Sequence, residues 1–268
     1  MSESKKVGDV EVTLKDFVAT VEIQRPPHNF FDYDLIKTLA DVFADLDEND
    51  QCRSILLCAQ GKAFCAGANF GDGSKVDKEG NSEGSPNRGD AGHLYVEAVR
   101  LLSNKKPVIG AIQGAAIGGG LGVAMVPDIR VTCPEARFAA NFTRLGFHPG
   151  FGLTETLPAL IGQTKAALVF YTSRRFKGAE AVEMGMADIL VPQAELRQTA
   201  WDLAREIAVN SPLALVSTRE TLRKGLAERV RLATDRELQE QTWLRKTDDF
   251  KEGISASSER RLPNFTNK

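Results

Sequence analysis

The sequence predicts an α/β protein in which strands and helices alternate through most of the chain and then give way to helices alone. Three observations carry this expectation. Apolar or alternating segments of strand length recur along the first two thirds of the chain. Segments with a helical period separate them, the pattern of helices layered outside a sheet. After about residue 195 only helical periods occur. The expected division is therefore a core over residues 1–194 and a helical region over residues 195–268. A helix-only tail that cannot close its own core packs on the main domain or on a partner subunit.

Residues 10–24 (VEVTLKDFVATVEIQ) alternate, with Lys15 and Asp16 at the centre, and read as a β-hairpin. The segment RPPHN at 25–29 ends it, because two prolines cannot continue a paired strand. Leu35, Leu39, Val42 and Leu46 then share one helical face, with Asp32 placed to cap it. SILLCA at 54–59 is a short buried strand. Residues 71–92 hold almost nothing apolar and read as a long loop of the kind that often carries function. A helix through Leu94, Ala98, Leu101 and Leu102 stops before Pro107. Strands at 108–112 and 129–132 flank QGAAIGGG and a short helix at 121–126. Helical periods then cover 195–210, 213–224 and 228–245.

The formal net charge is −2, which gives no global basic bias for nucleic acid to exploit. No apolar run approaches the roughly 20 residues that span a bilayer. The opening MSESKKVGDVEV has no apolar stretch of the signal-peptide kind, so a cytoplasmic protein is expected. Cys52, Cys58, Cys65 and Cys133 form no CxxC pair and read as reduced, buried thiols. His28, His93 and His148 are scattered, so no metal site is expected.

Two glycine-rich stretches are where chemistry is expected. GKAFCAGANF at 61–70 follows a buried strand, and its small residues let a ligand approach the backbone. Gly118, Gly119 and Gly120 open a helix, where free N–H groups favour developing negative charge. Two N–H groups from separate stretches, converging on one oxygen, would form an oxyanion hole. The triplet is neither a Walker A loop, since no Lys-Ser/Thr follows, nor a Rossmann turn, since the G-x-G-x-x-G spacing is missing. Taken alone it also fits a tight turn.

IQRPPHNFF, GKAFCAGANF, KKPVIGAIQGAAIGGGLGVAMVPDIRV, ARFAANFTRLGFHPGFGLTETLPALIG, GAEAVEMGMADILVP and DDFKEGISASSERRLPNF are similar, in order and spacing, to the crotonase (enoyl-CoA hydratase/isomerase) superfamily. The resemblance implies a spiral of β-β-α units with a C-terminal helical trimerisation region, assembled as a homotrimer or a hexamer. It implies an acyl-CoA thioester as ligand, so that coenzyme A enters as part of the substrate and no cofactor is tightly bound. It places the oxyanion hole at the backbone N–H groups of Ala68 and Gly119. It places the CoA contacts near Pro27, His28, Ala66 and Gly118, largely through backbone.

The same resemblance shows a gap. Hydratases of this kind use two glutamates around one water, one as base and one as acid. Their positions here are Gly122 and Phe142, and the single acid of many related isomerases falls at Gly150. None of these three can move a proton. His148, in the turn before Pro149, is the leading substitute, since an imidazole works as acid or base near neutral pH; the competing reading is a helix cap or a packing residue. Glu155 is second, at a helix start that favours a carboxylate in any case. His93, Asp90 and Asp72 flank or sit in the long loop, and Tyr95 and Phe70 are candidates for an acyl pocket or for core packing. The expected function is enolate-type chemistry on an acyl-CoA. The alternatives are another crotonase-type isomerase or C–C hydrolase using His148, and a non-catalytic acyl-CoA-binding protein. RNA binding finds little support, because the basic residues form only short clusters such as Arg174-Arg175 and Arg260-Arg261.

Overall fold

A computed structural model describes residues 3–70 and 91–268. Asp72 and Asp90 lie outside the described residues, as does the side chain of His93. In chain order the elements are β1 (Glu3–Val7), β2 (Val10–Lys15), β3 (Val18–Ile23), α1 (Tyr33–Asp47), β4 (Ser54–Ala59), α2 (Ala91–Leu102), β5 (Val108–Ile112), β6 (Ala115–Ile117), α3 (Gly119–Ala124), β7 (Ile129–Thr132) and β8 (Arg137–Ala139). A 3₁₀ turn (Thr143–Leu145) leads into α4 (Leu153–Ile161), α5 (Gln163–Thr172), β9 (Phe176–Lys177), α6 (Gly178–Met184) and β10 (Ile189–Leu190). The chain then runs through α7 (Leu196–Ala208), α8 (Pro212–Leu222), α9 (Leu226–Leu244) and α10 (Asp248–Ser258).

Among the described residues, one sheet runs in the order β1-β2-β3-β4-β5-β7-β10, and a smaller one runs β6-β8-β9. The first three strands pair antiparallel and the rest of the large sheet is parallel. Successive strands β5, β6, β7 and β8 alternate between the two sheets. That alternation is the β-β-α spiral. Two isolated bridges, Phe31 to Ala68 and Cys65 to Ala116, carry the smaller layer back toward earlier turns. The chain therefore returns to one floor once per turn, and the glycine-rich stretches meet there.

The hairpin is present as β2 and β3, with Asp16 and Phe17 at positive φ in its turn. Asp32 caps α1, its carboxylate accepting from the Leu35 N–H at 2.9 Å. Every residue of β4 is buried, as a central parallel strand covered on both faces must be. All four cysteines are free and buried. Burial pushes the Cys52 thiol up to about 11 and those of Cys58 and Cys65 up to about 12.

The C-terminal helices are tied to the core. Ala200, Ala204 and Ala208 bury one face of α7, and Ser54 Oγ donates to the Ala204 carbonyl at 2.7 Å. Asp128 binds Arg219 and Arg223, each at 2.8 Å, and so holds α8. Helix α9 packs on α2 and α4, which brings its polar residues to the edge of the site. Among the described residues, no helix is long and apolar enough to cross a membrane.

Candidate active site

The two glycine-rich stretches are knit together by backbone. Cys65 N–H donates to the Ala115 carbonyl at 2.8 Å, and Ile117 N–H donates to the Cys65 carbonyl at 3.1 Å. Each glycine of the triplet has its own reason. Gly118 sits at φ 57°, where a side chain is strained. A Cβ at Gly119 would lie 2.3 Å from Cζ of Phe31, and one at Gly120 would lie 2.0 Å from the Cys65 carbonyl oxygen. Gly67, at φ 91°, would meet the Ile117 carbonyl at 2.7 Å. Close approach of the two stretches thus dictates glycine on both.

Ala68 and Gly119 line one cavity of about 560 Å³ together with His28, Ala66 and Gly118. Among the described residues, no hydrogen bond claims the backbone N–H of Ala68 or of Gly119. The walls are aromatic. Phe31 and Phe151 meet edge to face with centroids 5.7 Å apart, and Phe142 and Phe147 do so at 5.4 Å. Polar groups on the cavity are His28, Tyr95, Gln241, Arg245, Arg137 and Arg175, with Asn and Ser side chains. No carboxylate stands among the described lining residues. Arg175 also joins a second cleft lined by Arg144, Arg174 and Arg260.

The sequence profile of the Enoyl-CoA hydratase/isomerase family matches residues 13–268. The chain belongs to the enoyl-CoA hydratase/isomerase family. It is 31% identical over 266 residues to a short-chain-enoyl-CoA hydratase of Clostridium acetobutylicum, covering 98% of this chain and all of that relative. It is 30% identical to a 1,2-epoxyphenylacetyl-CoA isomerase of Escherichia coli, over 94% of this chain and 95% of the other. A crystal structure of an enoyl-CoA hydratase/isomerase from Pseudoalteromonas atlantica superposes with a TM-score of 0.83 at 26% identity, over 96% of this chain and 100% of that one.

The positions at which the family resemblance expects acids are filled by other groups. A Cβ at Gly122 would lie 2.5 Å from Cδ1 of Phe151, so the phenyl ring occupies the start of any side chain there. Phe142 itself forms the cavity wall. A Cβ at Gly150 would lie 2.2 Å from Tyr95 Oη and 2.5 Å from Gln241 Nε2.

His148 is not brought to this cavity. It lines a separate cleft with Thr143, Pro149, Thr154 and Pro158, and its Nδ1 lies 2.8 Å from the Pro149 carbonyl. The cause is Gln241, whose Nε2 donates to the carbonyls of His148 at 3.0 Å and Pro149 at 3.2 Å. The turn thus gives its carbonyls to α9, while the imidazole lines the other cleft. Glu155 is also outside the cavity lining; it pairs with Arg229 at 2.6 Å in the first turn of α4. Pro27 is not among the lining residues either, although its neighbour His28 is.

Sequence reasoning missed Gln241, Arg245 and Glu237, all on α9 or at its end. Glu237 is fully buried and accepts from Gly152 N–H at 2.7 Å, Thr154 N–H at 3.0 Å and Thr154 Oγ1 at 2.6 Å. Burial pushes its carboxyl up to about 7 against those three donors. It thereby caps the start of α4 next to Phe151, which sits at φ 64°. The available signal was a run of polar residues, Glu237, Gln241 and Arg245, spaced four apart on one helical face.

Proposed function

We propose that this protein is an enzyme of the hydratase/isomerase type that binds an acyl-CoA thioester in the aromatic cavity. The thioester oxygen sits between the backbone N–H groups of Ala68 and Gly119, which stabilise the enolate. The observation that carries this reading is that both residues line one cavity and, among the described residues, neither N–H has a partner. The CoA moiety lies along His28, Ala66 and Gly118. The guanidinium groups of Arg175, Arg144, Arg174 and Arg260 supply positive charge for its phosphates, in a cleft whose lining holds no acid among the described residues. Hydration through two carboxylates finds no support in the cavity.

A second reading, a protein that binds acyl-CoA without turnover, is favoured by that same lack of carboxylates among the described lining residues. Two measurements decide. Butyryl-CoA is compared with S-butyl-CoA, a thioether that lacks the carbonyl, by calorimetry. Two unanswered N–H donors, at ~1–3 kcal/mol apiece for unsatisfied groups, predict about 30-fold or more weaker binding of the thioether. Equal affinities would remove the oxyanion hole. A panel of enoyl-, dienoyl- and β-ketoacyl-CoAs then separates enzyme from binding module, since the latter turns over none.

A further inference from the structure

A thioester held at Ala68 and Gly119 becomes an enolate by losing an α-proton, and the enolate returns to thioester by gaining a proton at carbon. We propose, resting on the acyl-CoA reading above, that the phenol of Tyr95 is the proton donor. Its oxygen lies 2.2 Å from where a Cβ at Gly150 would be, and therefore stands inside the volume that an acid grown from position 150 would fill. The phenol arrives from α2, on a different part of the chain. A glycine at 150 is what admits it, because any side chain there would displace either Tyr95 or Gln241.

The phenol is fixed by an ordered network. The Nε2 of Gln241 donates to two carbonyls, at His148 and Pro149, so the amide must turn its oxygen toward Tyr95. Tyr95 Oη donates to that oxygen at 3.0 Å, and Arg245 Nη2 donates to it at 3.2 Å. The ring is 7% exposed and forms part of the cavity wall. Burial raises the phenol well above its ordinary value, with the Glu237 carboxyl adding to the rise; the Arg245 guanidinium and the Phe151 backbone oppose it. Tyr95 is therefore protonated at every physiological pH.

The step balances without a co-reactant. The phenol O–H bond breaks as a C–H bond forms at the enolate Cα, and the enolate charge collapses into the thioester carbonyl. The electron pair stays on Tyr95 Oη as a phenolate near Arg245, and water returns the proton. In reverse, the phenolate removes an α-proton.

The test is hydrogen exchange at the α-carbon of phenylacetyl-CoA in D₂O, followed by proton NMR, with binding followed by calorimetry. Wild type incorporates deuterium. Tyr95→Phe exchanges about 100-fold or more slowly, the scale of one general acid–base group, while its affinity for the probe stays within about threefold. In wild type, exchange rises about tenfold per pH unit from 8 to 10, above the titration of Glu237, because a phenolate of raised pKa is the base; a carboxylate or imidazole base would already have levelled off. The charged neighbours are Arg245, which shares the Gln241 oxygen with the phenol, and Glu237, which faces Gly152 and Thr154 and is ionised throughout that pH range. A bound probe that does not exchange, exchange untouched by Tyr95→Phe, or a plateau between pH 8 and 10 would overturn the assignment. A probe that fails to bind wild type would overturn the acyl-CoA reading and this assignment with it.

Discussion

The phenyl ring of Phe151 stands 2.5 Å from the point at which a side chain would leave Gly122. The hydratase pattern expects a glutamate at that point, and here a ring is built in its place. Restoring the acid alone therefore fails. Gly122→Glu is expected to lower stability by ~1–3 kcal/mol through overpacking, or ~2–12 °C in melting temperature for a chain of this size. It gains no hydratase activity. Thermal denaturation and a crotonyl-CoA assay check this; an unchanged melting temperature would show that the ring yields freely.

Wild-type hydration of crotonyl-CoA is expected to be slow. Each acid or base contributes ~10²- to 10⁴-fold, and the positions at which the resemblance expects them hold Gly122 and Phe142, which cannot titrate. A spectrophotometric kcat equal to that of a two-glutamate hydratase would refute the expectation. It would also assign the proton transfers to residues outside the described lining.

Glu237 gives a pH dependence with a definite sign. Its carboxyl is raised to about 7 in the folded protein, from about 4.3 in an unfolded chain. The folded state holds this proton more tightly, so the associated stability is complete below about pH 4 and is lost as pH rises through 7. At about 1.4 kcal/mol per unit the whole loss is ~4 kcal/mol, of which ~3 kcal/mol falls between pH 5 and pH 8. Glu237→Gln removes that slope. It also sets an amide N–H₂ against a backbone N–H of Gly152 or Thr154 and so starts from a lower stability. Urea midpoints at pH 5 and pH 8 for both proteins test this; parallel losses would mean that Glu237 does not titrate in that range.

Much of the fold was legible because its signals are local. The cap at Asp32 and the buried run of β4 need only their own residues. Strand β1 was missed because ESKKV is charged, as an edge strand tends to be. Strands β6 and β8 hold three residues each, too few for a period, and exist through pairing with distant turns. The sequence names Ala68 and Gly119, and the structure brings both to one cavity. The site was illegible where direction matters. The sequence puts His148 in the right segment, but only Gln241, 93 residues away, decides which atoms of the turn face α9.

That geometry reverses the expectation for His148. His148→Gln should leave turnover within about threefold of wild type, since its side chain lines a different cleft. Gln241→Ala should be far worse, because it takes the Gln241 amide from the His148 carbonyl and from Tyr95. Steady-state kinetics on any substrate found in the panel compares them. A ~10²-fold loss in His148→Gln, the size of a general base effect, would return the imidazole to the chemistry.

The C-terminal helices are expected to hold a homotrimer or a dimer of trimers. Leu213 and Leu222 are each 82% exposed on α8, and Leu232 and Trp243 are more than half exposed on α9. Leu222 also borders an apolar cleft with Pro107, Ile129, Ile207 and Leu215. Asp128 pins α8 through Arg219 and Arg223, so the leucines are presented by a helix fixed to the core. Leaving such side chains in water forgoes ~1.5–3 kcal/mol apiece, which makes burial against another subunit the economical outcome. Leu213→Glu with Leu222→Glu places two charges on that face and touches no residue of the cavity. Sedimentation should show the double variant as a smaller, folded species at concentrations where wild type is assembled. A variant that sediments with wild type, or a wild type that is itself monomeric, would remove α8 from the interface.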